Sequence, residues 1–425
     1  MAGVGSGSRP PLLLRERDPV AFGAALERAW RQEALVALAA PEEEPLLAEA
    51  LAADPDPSPQ GPSRESALPA GPGVLVPGGG SSGGRRWCLQ PLAHLEASAG
   101  ATGAWLEALG IDPAACLHLN PLPFHHVSGL MPLLRARQWR ASHRRLAAGL
   151  MRDPDRLPEA APHPPDRPVV LSLVPTQLSR LLGSAAASAW LRQCTVIWVG
   201  GASLPPELAR RARGEEIPLA PCYGATETAA MVCALTPERF LAGGEGCGSP
   251  LADVRLRLHP GTSALEVKTS RLSPGRLRKG RLEPLPGSDG AGWWRSGDVA
   301  RFSAGGVEIL GRADGAISSG GETVFPEQLE RRLTELADRH ALPLVAVLLL
   351  GRSDPPWGER LVALVRAAEG QDPQSLLAKL RDLTAAWPAH ERPRRWCSCP
   401  ELALNGIGKW ERPRWQHWLD SLEAR

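Results

Sequence analysis

The chain has 425 residues, 43% of them hydrophobic and 22% charged, with 48 basic side chains against 46 acidic and a net charge of +2. That length suits two or three domains with substantial cores, and the balanced charge gives no broad field for nucleic acid or an anionic membrane. The longest apolar run, residues 342–350, holds Pro343 and is too short for a bilayer, and the first residues do not read as a secretory leader.

In chain order, the first 50 residues read as helical. Residues 54–73, rich in Pro, Ser, Asp and Gly, read as a linker. A strand, a glycine hairpin and a second strand follow, then a helix over residues 91–109. Apolar runs at 168–174 and 194–199 predict buried strands, each leading into a helix, and residues 217–224 predict the next strand and turn. This alternation argues for parallel α/β layers. Alternating stretches at 254–258, 264–270 and 307–312 predict short antiparallel strands. The end returns to α/β: a helix over 326–340, strands near 344–351 and 359–367, and a helix over 373–386. The predicted fold class is α/β. A large N-terminal domain of layered sheets (1–311) has a β-rich part at about 245–311, and a small mobile α+β C-terminal domain spans 312–425.

Six segments carry chemistry. Residues 78–86, Gly-Gly-Gly-Ser-Ser-Gly-Gly-Arg-Arg, have the glycines that let successive N–H groups face an anion, two hydroxyls and terminal cations. Alone, the run reads equally as a flexible loop, and no Walker lysine follows it. Gly200, Gly201 and Ala202 end a buried strand, where backbone can approach a flat ligand or simply turn. Tyr223-Gly224-Ala225-Thr226-Glu227 offers an aromatic ring, a hydroxyl donor and a hard oxygen ligand for Mg²⁺. Asp298 could accept from two ribose hydroxyls, with Arg312 and Asp314 in Gly-Arg-Ala-Asp downstream. Gly320 and Gly321 lead into Glu-Thr-Val-Phe-Pro-Glu, a helix start with proline in its first turn. Last, Asn405-Gly406-Ile407-Gly408-Lys409 presents a lysine in a glycine-flanked loop. Composition sharpens two of these positions: Lys409 is one of four lysines and Tyr223 the single tyrosine. Eight scattered cysteines, of which only Cys397 and Cys399 are close, read as reduced thiols of a cytoplasmic protein rather than a zinc site.

Taken in order, the six segments resemble the adenylate-forming superfamily of acyl-CoA synthetases, luciferases and adenylation domains, from about residue 74 to residue 412. The resemblance implies ATP, Mg²⁺ and coenzyme A as cofactor and co-substrates. It gives Gly80, Ser81, Ser82, Gly83 and Arg86 to the phosphate loop, with Arg86 where a lysine is usual. Gly200, Gly201, Ala202, Tyr223 and Gly224 fall to the nucleotide, with Tyr223 stacking on adenine. Thr226 contacts phosphate, Glu227 holds Mg²⁺, and Asp298 with Arg312 binds ribose. Asp314 is the hinge of the small domain, Gly320 and Gly321 form the loop for the second half-reaction, and Lys409 bridges carboxylate and ATP during adenylation.

Two further segments narrow the choice. Residues 121–130, with His126 in Phe-His-His-Val-Ser-Gly-Leu, and residues 171–182, Leu-Ser-Leu-Val-Pro-Thr-Gln-Leu-Ser-Arg-Leu-Leu, resemble the 2-succinylbenzoate–CoA ligases. That resemblance implies ligation of an aromatic dicarboxylic acid to coenzyme A through an acyl-adenylate, in menaquinone or phylloquinone synthesis, with no nucleic-acid or membrane partner. Another aryl- or short acyl-CoA ligase, or a catalytically silent relative, remains open. A pocket cation for the second carboxylate would separate these readings, and the sequence does not single one out.

Overall fold

In the computed structural model the described residues are 10–16, 18–52, 66–78, 86–320, 322–355, 357–405 and 410–423. Short strands, apolar at Val169–Leu173 and Val196–Val199 but polar at Ser142–Arg145, build its central sheet. Five parallel strands lie in the order Leu219–Ala225, Val196–Val199, Val169–Leu173, Leu117–Asn120 and Ser142–Arg145, with Ala230–Ala234 and Ser249–Pro250 added antiparallel beyond the first. All four residues of Val196–Val199 are buried, as a strand covered on both faces requires. One face packs on Leu178, Leu182, Trp190 and Ala212 of the connecting helices. The other meets Trp139, Leu265 and Trp294, the last two from a four-stranded antiparallel sheet of Arg255–Leu258, Ala264–Lys268, Trp293–Ser303 and Gly306–Arg312.

A second seven-stranded sheet carries the glycine hairpin. Leu12–Leu14, Leu35–Leu38 and Gly73–Gly78 run parallel, and Arg86–Pro91 returns antiparallel. Arg276–Arg278, Arg281–Glu283 and Ser66–Ala67 complete it. Two expectations are corrected here. Residues 1–50 are not helical throughout: Pro19–Arg31 and Glu44–Leu51 are helices, but Leu12–Leu14 and Leu35–Leu38 are strands. Val36 and Leu38 face one core and Leu35 and Ala37 another, so this run is apolar on both sides and too short to cover both as a helix. The predicted linker is also shorter at its end, since Ser66–Ala67 pairs with Arg281 and Leu282, and Gly73 opens a strand. The predicted turn near residue 224 is instead continuous strand to Ala225, bulged between Tyr223 and Gly224.

The final segment has the sheet Glu322–Val324, Ile317–Ser319, Gly358–Ala367 and Leu344–Asp354, with Arg395–Ser398 parallel to Gly358–Ala367. Helices Pro326–Arg339 and Pro373–Leu383 cover one face, and Arg412–Glu423 covers the other through Trp415 and Leu419.

Candidate active site

The carboxyl ends of the parallel strands form one rim, the usual ligand position in such sheets. After Leu117–Asn120 the chain turns tightly. Asn120 Nδ2 donates to Gly129 O at 2.8 Å, and its Oδ1 accepts from Leu122 N at 3.0 Å. A methyl at Gly129 would stand 2.1 Å from Pro123 O, so the turn needs glycine there. His126 occupies the N-cap position of the helix Val127–Trp139, without a side-chain capping bond, and its ring lies 4.4 Å from that of His125. Gly200, Gly201 and Ala202 follow Val196–Val199, with Gly201 at φ 82°. A side chain at Gly200 would meet Cys222 Sγ at 2.9 Å.

Beyond the bulge at Gly224 the turn Thr226–Thr228 is held from several sides. Gln90 Nε2 donates to Thr226 O at 2.6 Å, Ser98 Oγ to Ala229 O at 2.6 Å, and Arg271 to Thr228 O and Met231 O. Ala229 and Ala230 sit at φ 51° and 80°, strained for residues with a side chain. The clamps fix this backbone and so aim Thr226 and Glu227.

Tyr223, Asp298, Arg312 and Asp314 come together. Tyr223 Oη donates to Asp298 Oδ2 at 2.5 Å, and Arg312 Nη1 lies 3.5 Å from Asp298 Oδ1. Arg312 also grips Asp314 with two parallel bonds of 3.0 Å. That grip holds the guanidinium charged, above its ordinary range, against the opposing effect of burial. Burial first, then the Asp298 charge, pushes the Tyr223 hydroxyl well up, so it acts as a donor. Asp298 owes its position to Ser296, whose Oγ accepts from Asp298 N at 3.1 Å, and to Gly297 at φ 80°.

Glu227 is 6% exposed. A methyl at Gly78 would lie 3.9 Å from its Oε1, which sets the carboxylate at the foot of the glycine hairpin. Arg276 Nη2 donates to the same oxygen at 2.5 Å. Arg86 pairs with Gly78 where the second hairpin strand begins. Gly80, Ser81, Ser82, Gly83, Gly321 and Lys409 lie outside the described residues. Gly320, at φ 61°, takes Trp357 O on its N–H at 2.9 Å. Among the described residues no hydrogen bond joins it to the Tyr223–Asp298 group.

Two residues escaped the sequence reading. Arg276 sits among neighbouring arginines in a short hairpin, where no pattern marks it out. Arg135 is the more telling. It is 4% exposed, lies 4.9 Å over the Trp198 ring, and its Nε has no hydrogen-bond partner. No carboxylate pairs with it among the described residues. Burial, with the Arg271 charge behind it, pulls its pKa down to about 10. Trp198 and Cys222, its neighbours, stand just before Gly200 and Tyr223 at the strand ends. A signal existed: Met131, Arg135 and Trp139 form one buried stripe at helical spacing, and only the middle one is charged.

Residues 91–266 match the AMP-binding enzyme family. Over 249 residues the chain is 32% identical to the 2-succinylbenzoate–CoA ligase of Salmonella typhimurium, covering 58% of this chain and half of that enzyme. A probable 2-succinylbenzoate–CoA ligase of Mycobacterium tuberculosis is 29% identical over 359 residues, covering 80% of this chain and 82% of its own length. Among solved structures, the o-succinylbenzoate CoA synthetase of Bacillus subtilis with its acyl-adenylate OSB-AMP superposes with a TM-score of 0.66 at 19% identity, over 81% of this chain and 68% of its own. A point variant of Escherichia coli MenE with bound OSB-AMS gives a TM-score of 0.69 at 24% identity, over 98% of this chain and 88% of its own. Residues 91–266 thus match the AMP-binding enzyme family, and the chain has the fold that these CoA synthetases share.

Proposed function

We propose that the chain is a cytoplasmic ligase that joins 2-succinylbenzoate to coenzyme A through an acyl-adenylate, its product feeding menaquinone or phylloquinone synthesis. One observation carries the choice of acid. A buried guanidinium with a vacant donor beside the strand ends is costly unless an anion meets it. An aromatic acid with two carboxylates can react through one and set the other on Arg135, which a benzoate or an alkanoate cannot do. In the first step the aliphatic carboxylate attacks the α-phosphorus of ATP and the bond to pyrophosphate breaks. Lys409, Thr226 and the 78–86 loop stabilise the charge that grows there. Tyr223 supports adenine and Asp298 the ribose, with Arg312 fixing Asp298.

Magnesium fits the residues present. Glu227 is a hard oxygen donor at the foot of the loop, and one carboxylate plus substrate phosphates is an ordinary donor set for this ion. When bound, it supplies charge neutralisation to the polyphosphate. In the second step the coenzyme A sulfur attacks the acyl carbon and AMP departs. The segment after Asp314 turns to withdraw Lys409 and bring Gly320 and Gly321 to the site. His126 lines the acyl side at the helix start.

Pyrophosphate release and thioester formation with 2-succinylbenzoate, benzoate and octanoate test this. Turnover of the diacid far above the others is expected. Preference for benzoate or octanoate overturns the substrate, and no turnover of any acid overturns the enzyme. Lys409→Ala should cripple adenylation yet spare thioester formation from pre-made acyl-AMP.

A further inference from the structure

Arg276 belongs to none of the sequence motifs, although its partner Glu227 does. Their side chains keep only 21% and 8% of their exposure. Arg276 stands opposite Cys88 across the sheet, and Cys88 is fully buried beside both charges. Arg276 Nε is buried on the Cys88 side, but the guanidinium bonds Glu227 through Nη2 alone and the side chain keeps a fifth of its exposure, so donor capacity remains that Glu227 does not use. The strand that ends at Gly78 leads directly into residues 79–85. A cation is therefore held at the entrance to the glycine run, on the carboxylate assigned to magnesium.

Charge decides what this arrangement does. Without Arg276, Glu227 would be a buried negative charge facing a polyphosphate. With it, the pair is neutral as a whole and the guanidinium stays partly exposed. A divalent ion approaching Glu227 has to displace the guanidinium, since both use the same carboxylate. We propose that Arg276 is a resident counter-cation of Glu227. It lets the ATP polyphosphate bind here without a divalent ion, contacts that polyphosphate when ATP is present, and competes with magnesium for the carboxylate. This rests on reading the chain as an ATP-using enzyme.

The test measures ATP binding to the full chain by calorimetry, in EDTA and in excess Mg²⁺, for the unmodified protein, Arg276→Gln and Arg276→Lys. The unmodified protein should bind ATP in both buffers. In Arg276→Gln, affinity in EDTA should fall about tenfold, the scale of one charged hydrogen bond, and fall less in Mg²⁺. The Mg²⁺ concentration for half-saturation at fixed ATP should drop. Arg276→Lys, with a point charge in place of the planar fork, should lie between. An unchanged ratio of the two affinities in Arg276→Gln overturns the counter-cation while leaving the ATP enzyme standing. No ATP binding by the unmodified protein in either buffer overturns both. If Arg276→Gln fails to fold, Arg276→Lys decides: its ratio must exceed that of the unmodified protein, and equality overturns the proposal.

Discussion

Replacing Arg135 with methionine separates what this side chain costs the fold from what it gives the substrate. The guanidinium is 4% exposed and holds an unpartnered Nε. Its pKa of about 10, well below the ordinary guanidinium range, means that the charged form is disfavoured in the folded state. The difference corresponds to about 3 kcal/mol at any pH below both values. A methionine of similar reach removes that penalty and keeps contact with Trp198. The variant should gain about 1–3 kcal/mol of stability, some of the relief being lost to imperfect packing. Thermal unfolding would show this as a rise of several degrees in Tm. Catalysis should move the other way. Hydrogen bonds to a charged group are worth about 1.5–3 kcal/mol, so kcat/KM for 2-succinylbenzoate should fall about 10- to 150-fold. The loss for acids with a single carboxylate should be much smaller. Pyrophosphate release measured with both acid types reads the difference. A variant that melts earlier and loses equally on every acid would refute the reasoning, because Arg135 would then be a structural clamp.

Three further outcomes are expected. Burial holds the His143 imidazole down to about 4, so between pH 6.5 and 4 the folded state binds fewer protons than the unfolded one. Stability present above pH 6.5 is therefore lost as pH falls toward 4, and His143→Leu should abolish up to about 3 kcal/mol of that loss in urea midpoints taken at pH 7 and 4.5; an unchanged slope excludes this source. Tyr223→Phe keeps the ring and removes the 2.5 Å bond to Asp298, so the KM for ATP should rise about two- to tenfold with kcat little changed. If stacking is all that Tyr223 does, that KM will not move. Gly224→Ala would set a methyl 2.2 Å from Ala230 O and 2.7 Å from Met231 Cα, and should cost about 3 kcal/mol or more in thermal unfolding; a variant as stable as the parent contradicts the tight bulge.

Three strands of the central sheet, Val169–Leu173, Val196–Val199 and Leu219–Ala225, were legible as short apolar runs, the first closed by the helix-starting Pro175, whereas Leu117–Asn120 and the polar, half-exposed Ser142–Arg145 were not. The strand Leu35–Leu38 was not, since its neighbours Leu12–Leu14 and Gly73–Gly78 come from distant sequence and only their company makes it extended. The same limit governed the site. Tyr223, Asp298 and Arg312 were found as separate motifs, but the hydrogen bond between the first two spans 75 positions and leaves no local trace. Arg276 was invisible because its partner is 49 residues away and its own neighbours are equally basic. Arg135 did leave a trace, a lone charge on a buried stripe, which only the lack of a counter-ion among the described residues turns into a functional sign.

The composite sheet around the glycine hairpin also bears on how the protein is made. The strand Arg86–Pro91 is sealed on its open side by residues that come much later: Ser273 Oγ reaches Leu89 O across 184 positions, and Arg276 pairs with Cys88. At an ordinary synthesis rate that interval is roughly 10–40 s. Through it the nascent glycine hairpin has an exposed strand edge, the kind that recruits a neighbouring chain or a chaperone. Codon choice and expression temperature between residues 91 and 276 should therefore affect the yield of native protein more than the same changes made after the edge has closed.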